Sequence, residues 1–430
     1  VISMAKHGET KQRAAIVARE HKRNKRILRL LCFVVAIAVA FVAGFALRSQ
    51  DQFLASLGFS IPGVQKAGTQ TADTKKSPYD SISARLSEVE DVLAKSDLSG
   101  YDLDEATKEV FKGFSSACDD KYFEYLDPSR YASFVKDSSD GAYTGVGVLF
   151  SDYNGRALVS DVFSGSAAEA AGVQQGDVLI GIDGDTSHDW SVTEAISGLS
   201  RNAGETVVVT WMRPSSVGAE TGTSYTTALT CSSYKEQNVT YSLDGTVGYV
   251  KVRQLTQDTA GNVSLALGDL IGQGATSFVM DLRDNPGGYL TQAVDVANLF
   301  IKTGVIVEVQ TSTGTSPKSA SGKTVTDLPL VVLTNSYTSG AAEVLAAALQ
   351  DNQRATVVGE TTIGKGSVQV VHELSFGGAI RYTAGYYKSP LGHDIDGVGV
   401  IPDIAISASE GGTDPQLVLA VETAQTKEKA

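Results

Sequence analysis

The sequence predicts a layered α/β domain preceded by a small β-rich domain, a helical segment and one membrane-spanning helix. From Gly248 onward, apolar strands alternate with helical segments, which is the pattern of repeated βα units. Between 141 and 233, short apolar runs are separated by Gly and Asp-Gly turns, as in a compact β-rich domain. The chain has 430 residues, 42% apolar and 20% charged, which is enough material for more than one core.

The N-terminal charge pattern indicates a membrane segment rather than a nucleic-acid-binding tail. The net charge is −13, yet residues 1–29 contain nine Lys or Arg against two Glu. Residues 30–47, from Leu30 to Leu47, carry no charge and are long enough to cross a bilayer. The positive-inside rule then predicts a cytoplasmic N-terminus, a signal-anchor and a single-pass protein of the cell membrane, with the rest of the chain outside the cytoplasm. A cleaved signal peptide is the alternative.

Composition shifts divide the chain into seven predicted segments. Helical spacing of apolar residues supports a short helix after position 82 and a helical stretch after position 103. Cys118 and Cys231 do not form a disulfide framework and match no zinc spacing, so neither a disulfide nor a metal is expected. The segments are a cytoplasmic basic tail (1–29), a transmembrane helix (30–47), a tether with a short helix (48–96), a helical piece (97–140), the β-rich domain (141–233), the α/β domain (234–408) and a C-terminal tail (409–430).

A polar turn between a buried strand and an Ala-rich helix is the strongest candidate for chemistry. Residues 328–333 read as the strand, and residues 344–350 read as the helix. The turn between them, 334–343, contains Ser339. Its hydroxyls are expected at a helix N-terminus, where free N–H groups and the positive dipole end favour a developing negative charge.

Lys365 stands alone between two glycines, about one helix and one strand after this turn. A lysine acts as a general base only when its amine is neutral, and burial in an apolar pocket favours the neutral form. We therefore expect a serine nucleophile activated by a lysine base. A solvated loop lysine is the plainer interpretation.

Two further motifs are weaker. Residues 281–288 end a buried strand with Gly287-Gly288, whose amides suit an oxyanion, although such a pair often forms only a turn. Residues 359–366 resemble a phosphate-binding loop, but Gly366 offers no hydroxyl and a strand follows, so nucleotide binding is not expected. The sequence contains no Gly-x-Ser-x-Gly motif, so a Ser–His–Asp hydrolase is not indicated.

The β-rich segment resembles a PDZ domain of the bacterial-protease type. The resemblance rests on Gly145-Val146-Gly147-Val148 and on the stretch 165–184, GSAAEAAGVQQGDVLIGIDG. PDZ domains add an extended peptide to a sheet edge and hold its C-terminal carboxylate with backbone amides. The resemblance implies that residues 145–148 are that loop; a tight strand entry is the alternative.

The whole region 97–405 resembles the carboxyl-terminal processing proteases, the S41 serine peptidases. The resemblance implies a crotonase/ClpP-like layered core with the PDZ domain inserted, and a Ser–Lys dyad without cofactor or metal. Its substrates would be proteins or peptides with free C-termini, cut after the PDZ domain captures the tail. It places the lysine on Lys365, a supporting glutamine on Gln369 and the oxyanion amides near Gly288 and Gly340. The segments that carry it lie around 123–128 and at 248–252, 281–288, 330–343, 348–369 and 397–404.

The sequence departs from the family at the nucleophile itself. The register places the family's serine on position 340, which is Gly340 here, and no insertion or deletion changes this. Either Ser339 serves as the nucleophile through a locally adjusted turn, which the conformational freedom of Gly340 would ease, or the chain is a peptide-binding pseudoprotease. We predict the active peptidase, with Ser339, Lys365 and Gln369 as catalytic residues.

Overall fold

The computed structural model describes residues 81–96, 100–137, 143–216, 219–234, 237–409 and 413–428. It divides into two units, 1–100 and 101–430. In the first unit it describes one helix, α1 (Ile82–Ser96). The predicted basic tail and most of the predicted tether lie outside the described residues.

The second unit contains the two predicted domains. Its elements in chain order are α2 (Leu103–Ser116), β1 (Glu124–Leu126), α3 (Pro128–Asp137), β2 (Tyr143–Gly145), β3 (Val148–Tyr153), β4 (Arg156–Val162), α4 (Ala167–Ala170), β5 (Val178–Ile182), α5 (Val192–Leu199), β6 (Thr206–Pro214), β7 (Gly222–Thr230), β8 (Ser232–Tyr234), β9 (Val239–Asp244), β10 (Val247–Val252), α6 (Thr259–Gly272), β11 (Ser277–Asp281), α7 (Leu290–Asn298), β12 (Val305–Thr311), β13 (Gly314–Ser319), β14 (Leu330–Thr334), α8 (Ala341–Asp351), β15 (Thr356–Gly359), β16 (Ser367–Glu373), β17 (Ala379–Lys388), β18 (Ile404–Ala405) and α9 (Pro415–Glu428).

The α/β domain is a layered structure, as predicted. Strands β10, β11, β14, β15 and β18 are parallel, and β9 joins one edge antiparallel. The central strands β11 and β14 are buried along their whole length, which explains the apolar runs at 278–280 and 330–333. Helices α6, α7 and α8 share one core with the face of this sheet that bears Val250 and Phe278. A second sheet, in the order β1-β17-β12-β13 with β16 also paired to β17, completes the layers.

The β-rich domain is inserted into this α/β framework. Its strands β3 to β7 form one antiparallel sheet around a core that contains the fully buried Trp211. Strands β2 and β8 pair at its base, with Tyr143 opposite Tyr234, so the chain enters and leaves at one point. Strand β1, which precedes the domain, pairs with β17, which follows it. The prediction of an inserted β-rich domain is confirmed.

The structure corrects the secondary structure at two places. Residues 409–430 are not simply a tail, because Pro415–Glu428 forms α9 and packs Ala420 and Ala424 against the second face of the parallel sheet. The buried face of this helix consists partly of alanines, which contrast less with polar residues than larger apolar side chains do, so the sequence shows only a weak helical pattern. Within the predicted helical piece, Glu124–Leu126 is a strand because its backbone pairs with β17, and three residues carry no periodic signal of their own.

The membrane prediction is also corrected. In the described ranges, no helix combines the length and the apolar character that crossing a membrane requires. The longest described helix, α1, has 15 residues, or about 22 Å, against a hydrocarbon core of about 30 Å. Residues 30–47, on which the prediction was based, lie outside the described residues. The predicted transmembrane helix and single-pass cell-membrane location are therefore not supported by the structure.

Candidate active site

Three loops meet at the carboxyl ends of neighbouring strands in the parallel sheet. Strands β11, β14 and β15 are neighbours, with Asp281 opposite Leu333 and Thr334 opposite Gly359. Because the strands are parallel, the segments that leave their carboxyl ends start side by side. These segments are the glycine loop (282–288), the nucleophile turn (335–340) and the base loop (360–366). The sheet therefore brings together the three motifs that the sequence singled out.

Hydrogen bonds hold the nucleophile turn firmly against the glycine loop. The hydroxyl of Thr338 donates to the carbonyl of Leu282 at 2.9 Å and accepts the Asn335 amide at 3.1 Å. The side-chain amide of Asn335 donates to the Asp284 carboxylate at 2.6 Å, and its oxygen accepts the backbone amide of Asp284 at 3.0 Å. The Ser339 amide donates to the Asn285 carbonyl at 2.9 Å.

The hydroxyl of Ser339 is the exception in this turn. Ser339 is 0% exposed, and its Oγ has no hydrogen-bond partner among the described residues. A buried polar group without a partner is destabilising by about 1–3 kcal/mol, and such groups in native structures often have a functional cause. Ser339 and Lys365, the predicted dyad, are therefore not hydrogen-bonded to each other in this structure.

Gly340 adopts a conformation that only glycine accepts without strain. Its φ is 57° and its ψ is −120°, and it is the N-cap residue of α8. A β-carbon placed on Gly340 would clash with nothing, since it would make only an ordinary van der Waals contact with the Pro286 carbonyl oxygen at 3.9 Å. Backbone strain, rather than a lack of room, would oppose a side chain at this position.

The Gly340 amide does not remain free for an oxyanion, which corrects that part of the prediction. It donates to Glu343 at 2.8 Å. The next amide, that of Ala341, opens α8 and donates to no group in the described part of the chain. Gly287 lies against this amide, because a β-carbon on Gly287 would stand 3.0 Å from it. The amide of the predicted Gly288 likewise has no acceptor among the described residues.

Lys365 sits in a mostly buried pocket formed by both domains. Its Nζ lies 3.7 Å from Asp152 of β3 and 5.2 Å from the ring centroid of Tyr122, and its side chain is 14% exposed. Arg381 of β17 contacts the same Asp152 oxygen at 2.9 Å. Burial lowers the pKa of the Lys365 amine below its ordinary value; Asp152 opposes this shift, and Arg381 adds to it. Burial thus shifts the Lys365 amine toward the neutral form that a general base requires.

Gln369 does not hold the Lys365 amine in this structure. It donates to the hydroxyl of Ser367 at 2.8 Å, and the described residues show no hydrogen bond between Gln369 and Lys365. A register shift between Val368 and Gln369 in the β16–β17 pairing interrupts the simple alternation on which same-face reasoning depends.

The β-rich domain rests directly on the nucleophile turn and the base loop. Tyr337 and Ile363 pack against the apolar cluster of Leu158, Val178 and Met212. A β-carbon on Gly176 would stand 2.6 Å from the Tyr337 hydroxyl, so this contact is close. The domain that would bind a peptide is therefore in contact with the candidate catalytic loops.

The predicted peptide loop of this domain has two available amides. Val146 is fully buried, and Gly147 has a φ of 90°, where a β-carbon would clash with Ser166 at 2.2 Å. Their carbonyls accept the amides of Ala168 and Phe163 at 3.1 and 2.9 Å. Their own amides donate to no group in the described ranges, and Val148 begins the strand β3. Gly145, Val146, Gly147 and Val148 therefore form a tight strand entry that a carboxylate could still occupy.

Comparisons with known proteins agree with this geometry. The sequence model of Peptidase family S41 matches residues 246–406, and that of the PDZ domain matches residues 135–211. The carboxyl-terminal-processing protease of Picosynechococcus sp. is 37% identical over 293 residues, which cover 66% of this chain and 69% of that protein. The chain belongs to peptidase family S41. It is a serine-type protease with a PDZ domain, and protein or peptide substrates follow from that membership.

Two further relatives extend the S41 assignment. The carboxyl-terminal-processing protease of Synechocystis sp. is 35% identical over 307 residues, covering 70% of each chain. The solved structure of the photosystem II D1 C-terminal processing protease aligns with a TM-score of 0.62 at 29% identity, covering 75% of this chain and 86% of that one. The described residues contain no group of three or more His, Cys, Asp or Glu side chains arranged to hold a metal ion.

Sequence reasoning missed several residues of the site. Asp152, Arg381 and Tyr122 surround Lys365 but come from distant parts of the chain, and no local pattern marks them. Glu343 is different, because it stands three residues after the helix N-cap, the position of the acidic member of a capping box. That spacing was visible in the sequence.

Proposed function

We propose that this S41 protease captures the C-termini of proteins with its PDZ domain and cleaves them with Ser339 as nucleophile and Lys365 as base. The observation that carries this proposal is a buried, unpartnered hydroxyl on the nucleophile turn, that of Ser339, together with a lysine on the base loop whose pKa is lowered by burial. Both groups are held on loops that leave adjacent parallel strands.

In the proposed reaction, the neutral Lys365 amine takes the proton of the Ser339 hydroxyl as its oxygen attacks the scissile carbonyl carbon. The carbonyl oxygen becomes an oxyanion, which the free amides of Gly288 and Ala341 would stabilise. The C–N bond then breaks, and the Lys365 ammonium donates its proton to the leaving amine. Lys365 next deprotonates a water, which releases the acyl group and regenerates the Ser339 hydroxyl.

The proposed reaction requires a rearrangement from the resting geometry. Ser339 is not exposed, and the Lys365 amine faces Asp152. Gly340 supports such a movement, because a glycine between the nucleophile and α8 allows the turn to change its backbone angles at low energetic cost.

Amidation of the substrate's C-terminus is expected to raise KM about 10- to 100-fold with little change in kcat. The free amides of Val146 and Gly147 would lose a carboxylate, and a hydrogen bond to a charged group contributes about 1.5–3 kcal/mol. The measurement is the steady-state kinetics of a matched pair of free-acid and amidated peptides.

A third peptide, with one internal carboxylate replaced by an amide, controls for net charge and should behave like the free acid. The variant Gly147→Ala places a β-carbon against Ser166 and should erase the preference for the free acid. Equal KM values for the free-acid and amidated peptides with the unmodified protein would refute tail capture.

A second candidate function, peptide binding without hydrolysis, is favoured by one observation. The sequence register places the family's serine on Gly340, and a β-carbon there would make only an ordinary contact, with the Pro286 carbonyl oxygen at 3.9 Å. On this alternative, the unmodified chain does not hydrolyse peptides. Gly340→Ser would then gain hydrolysis, because the lysine and the oxyanion amides are already present. The proposal predicts the reverse: the unmodified chain cleaves an unstructured protein, and Gly340→Ser, strained by about 1–3 kcal/mol at this φ, gains nothing.

A further inference from the structure

Glu343 accepts four hydrogen bonds from two segments of the site, the nucleophile turn and the base loop, while fully buried. One carboxylate oxygen, Oε2, accepts the amides of Gly340 at 2.8 Å and Lys365 at 2.7 Å. The other, Oε1, accepts the Gly364 amide at 2.8 Å and the hydroxyl of Thr362. Glu343 is 0% exposed. One side chain thus connects the first turn of α8 to the base loop.

This arrangement requires the ionised carboxylate. All three amides are obligatory donors, and a proton on either oxygen would occupy a position that a donor now uses. Burial raises the pKa of Glu343 to about 7, and the four hydrogen bonds oppose that shift. The charge of Glu343 in turn raises the pKa of the Lys365 amine, against the larger effect of burial.

Helix capping alone does not explain these contacts. Of the two bonds of a capping box, only the one donated by the N-cap amide to Glu343 is possible here, because the N-cap residue Gly340 has no side chain. The other three donors belong to the base loop, and the Thr362 hydroxyl in turn accepts the Val400 amide at 2.7 Å. The bonds of Glu343 therefore run from the residue next to Ser339 to the backbone of Lys365 itself.

We infer that Glu343 is a positioning residue that fixes the nucleophile turn relative to the base loop, so that the serine and the lysine meet at a set separation. This inference rests on the proposed Ser339–Lys365 mechanism for its catalytic consequence, but the linkage of the two loops is independent of that mechanism. A misplacement of about 1 Å between reacting groups reduces turnover by about 100-fold.

The test compares Glu343→Gln with Gln350→Ala in the full chain. Glutamine keeps the shape but presents N–H groups to two of the four donors. Gln350 lies at the other end of α8 and donates to the Ile401 carbonyl and Asp403, so its variant loosens the same helix without touching the site. Thr362→Val, which removes a single donor, is a milder second variant if Glu343→Gln does not fold.

Two readouts are needed, hydrogen exchange by mass spectrometry and steady-state kinetics. In Glu343→Gln, we expect the amide hydrogens of both peptides, 336–341 and 361–366, to exchange at least about tenfold faster. We expect kcat to fall about 100-fold while KM stays within about twofold. Thr362→Val should give smaller changes in the same two peptides, and Gln350→Ala should change neither peptide.

Faster exchange in only one of the two peptides, or in neither, would overturn the inference. So would joint loosening with an unchanged kcat in an active enzyme. If the unmodified protein shows no hydrolysis, the proposed mechanism fails. The exchange data alone then test whether Glu343 connects the two loops. Faster exchange in both peptides of Glu343→Gln would support that connection, and faster exchange in only one or in neither would reject it.

Discussion

Replacing Ser339 by alanine is expected to abolish hydrolysis, by roughly 10⁴-fold, while raising the free energy of unfolding by about 1 kcal/mol. The loss of activity follows because the nucleophile is removed. The gain in stability follows because a buried hydroxyl without a partner is removed as well. Activity on an unstructured protein and denaturant unfolding of the same preparations give the two values.

The neighbouring hydroxyl provides a matched control. Thr338 is as buried as Ser339, but its Oγ1 both donates to Leu282 and accepts from Asn335. Thr338→Val should therefore lose about 1–3 kcal/mol of stability. A Ser339→Ala variant that keeps full activity, or that loses stability as Thr338→Val does, would contradict the role assigned to Ser339.

The second large effect is expected at Lys365. Lys365→Met keeps most of the side-chain volume but removes the base, so kcat/KM should fall by about 10²–10⁴-fold. Lys318→Met is a suitable control, since Lys318 is exposed on β13, the edge strand of the second sheet. Equal losses in the two variants would mean that Lys365 is not the base.

The direction in which kcat/KM changes with pH also tests whether Lys365 is the base. Hydrolysis needs the neutral amine, so kcat/KM should rise with pH as Lys365 loses its proton. Because burial lowers the pKa of Lys365, this rise should have its midpoint below the ordinary lysine value. The rise that Lys365 causes should be missing from the residual activity of Lys365→Met. A rise that persists unchanged in this variant would assign it to another group.

The order of the strands and helices in the α/β domain was predictable because each buried parallel strand is a continuous apolar run. Strand β14 and helix α8 are the clearest case, since both are buried along most of their length. Strand β1 was not predictable, because its three residues become a strand only by pairing with β17, more than 250 positions later. Helix α9 was hidden by the alanines in its buried stripe.

In the candidate site too, some residues could be predicted from local sequence and others could not. Ser339 and the Gly287-Gly288 pair could be predicted as candidates because each lies between a buried strand and a helix, and Lys365 because it stands alone between two glycines. The groups that set the charge around Lys365 were not predicted. Asp152 reaches it only through the insertion of the PDZ domain, and Arg381 comes from β17, which no local pattern connects to Lys365. The bond from the Gly340 amide to Glu343 was signalled by sequence spacing, because Glu343 stands at the position of the acidic member of a capping box.

The central claim is that Ser339 is the nucleophile, and covalent labelling tests it most directly. The full chain would be treated with a fluorophosphonate, which reacts with activated serine hydroxyls, and the modified residue would be located by tandem mass spectrometry. We predict one adduct on Ser339 that is absent from both Ser339→Ala and Lys365→Met. An unlabelled wild-type protein, together with an adduct on the introduced serine of Gly340→Ser, would contradict the claim and identify the chain as a peptide-binding member of the family.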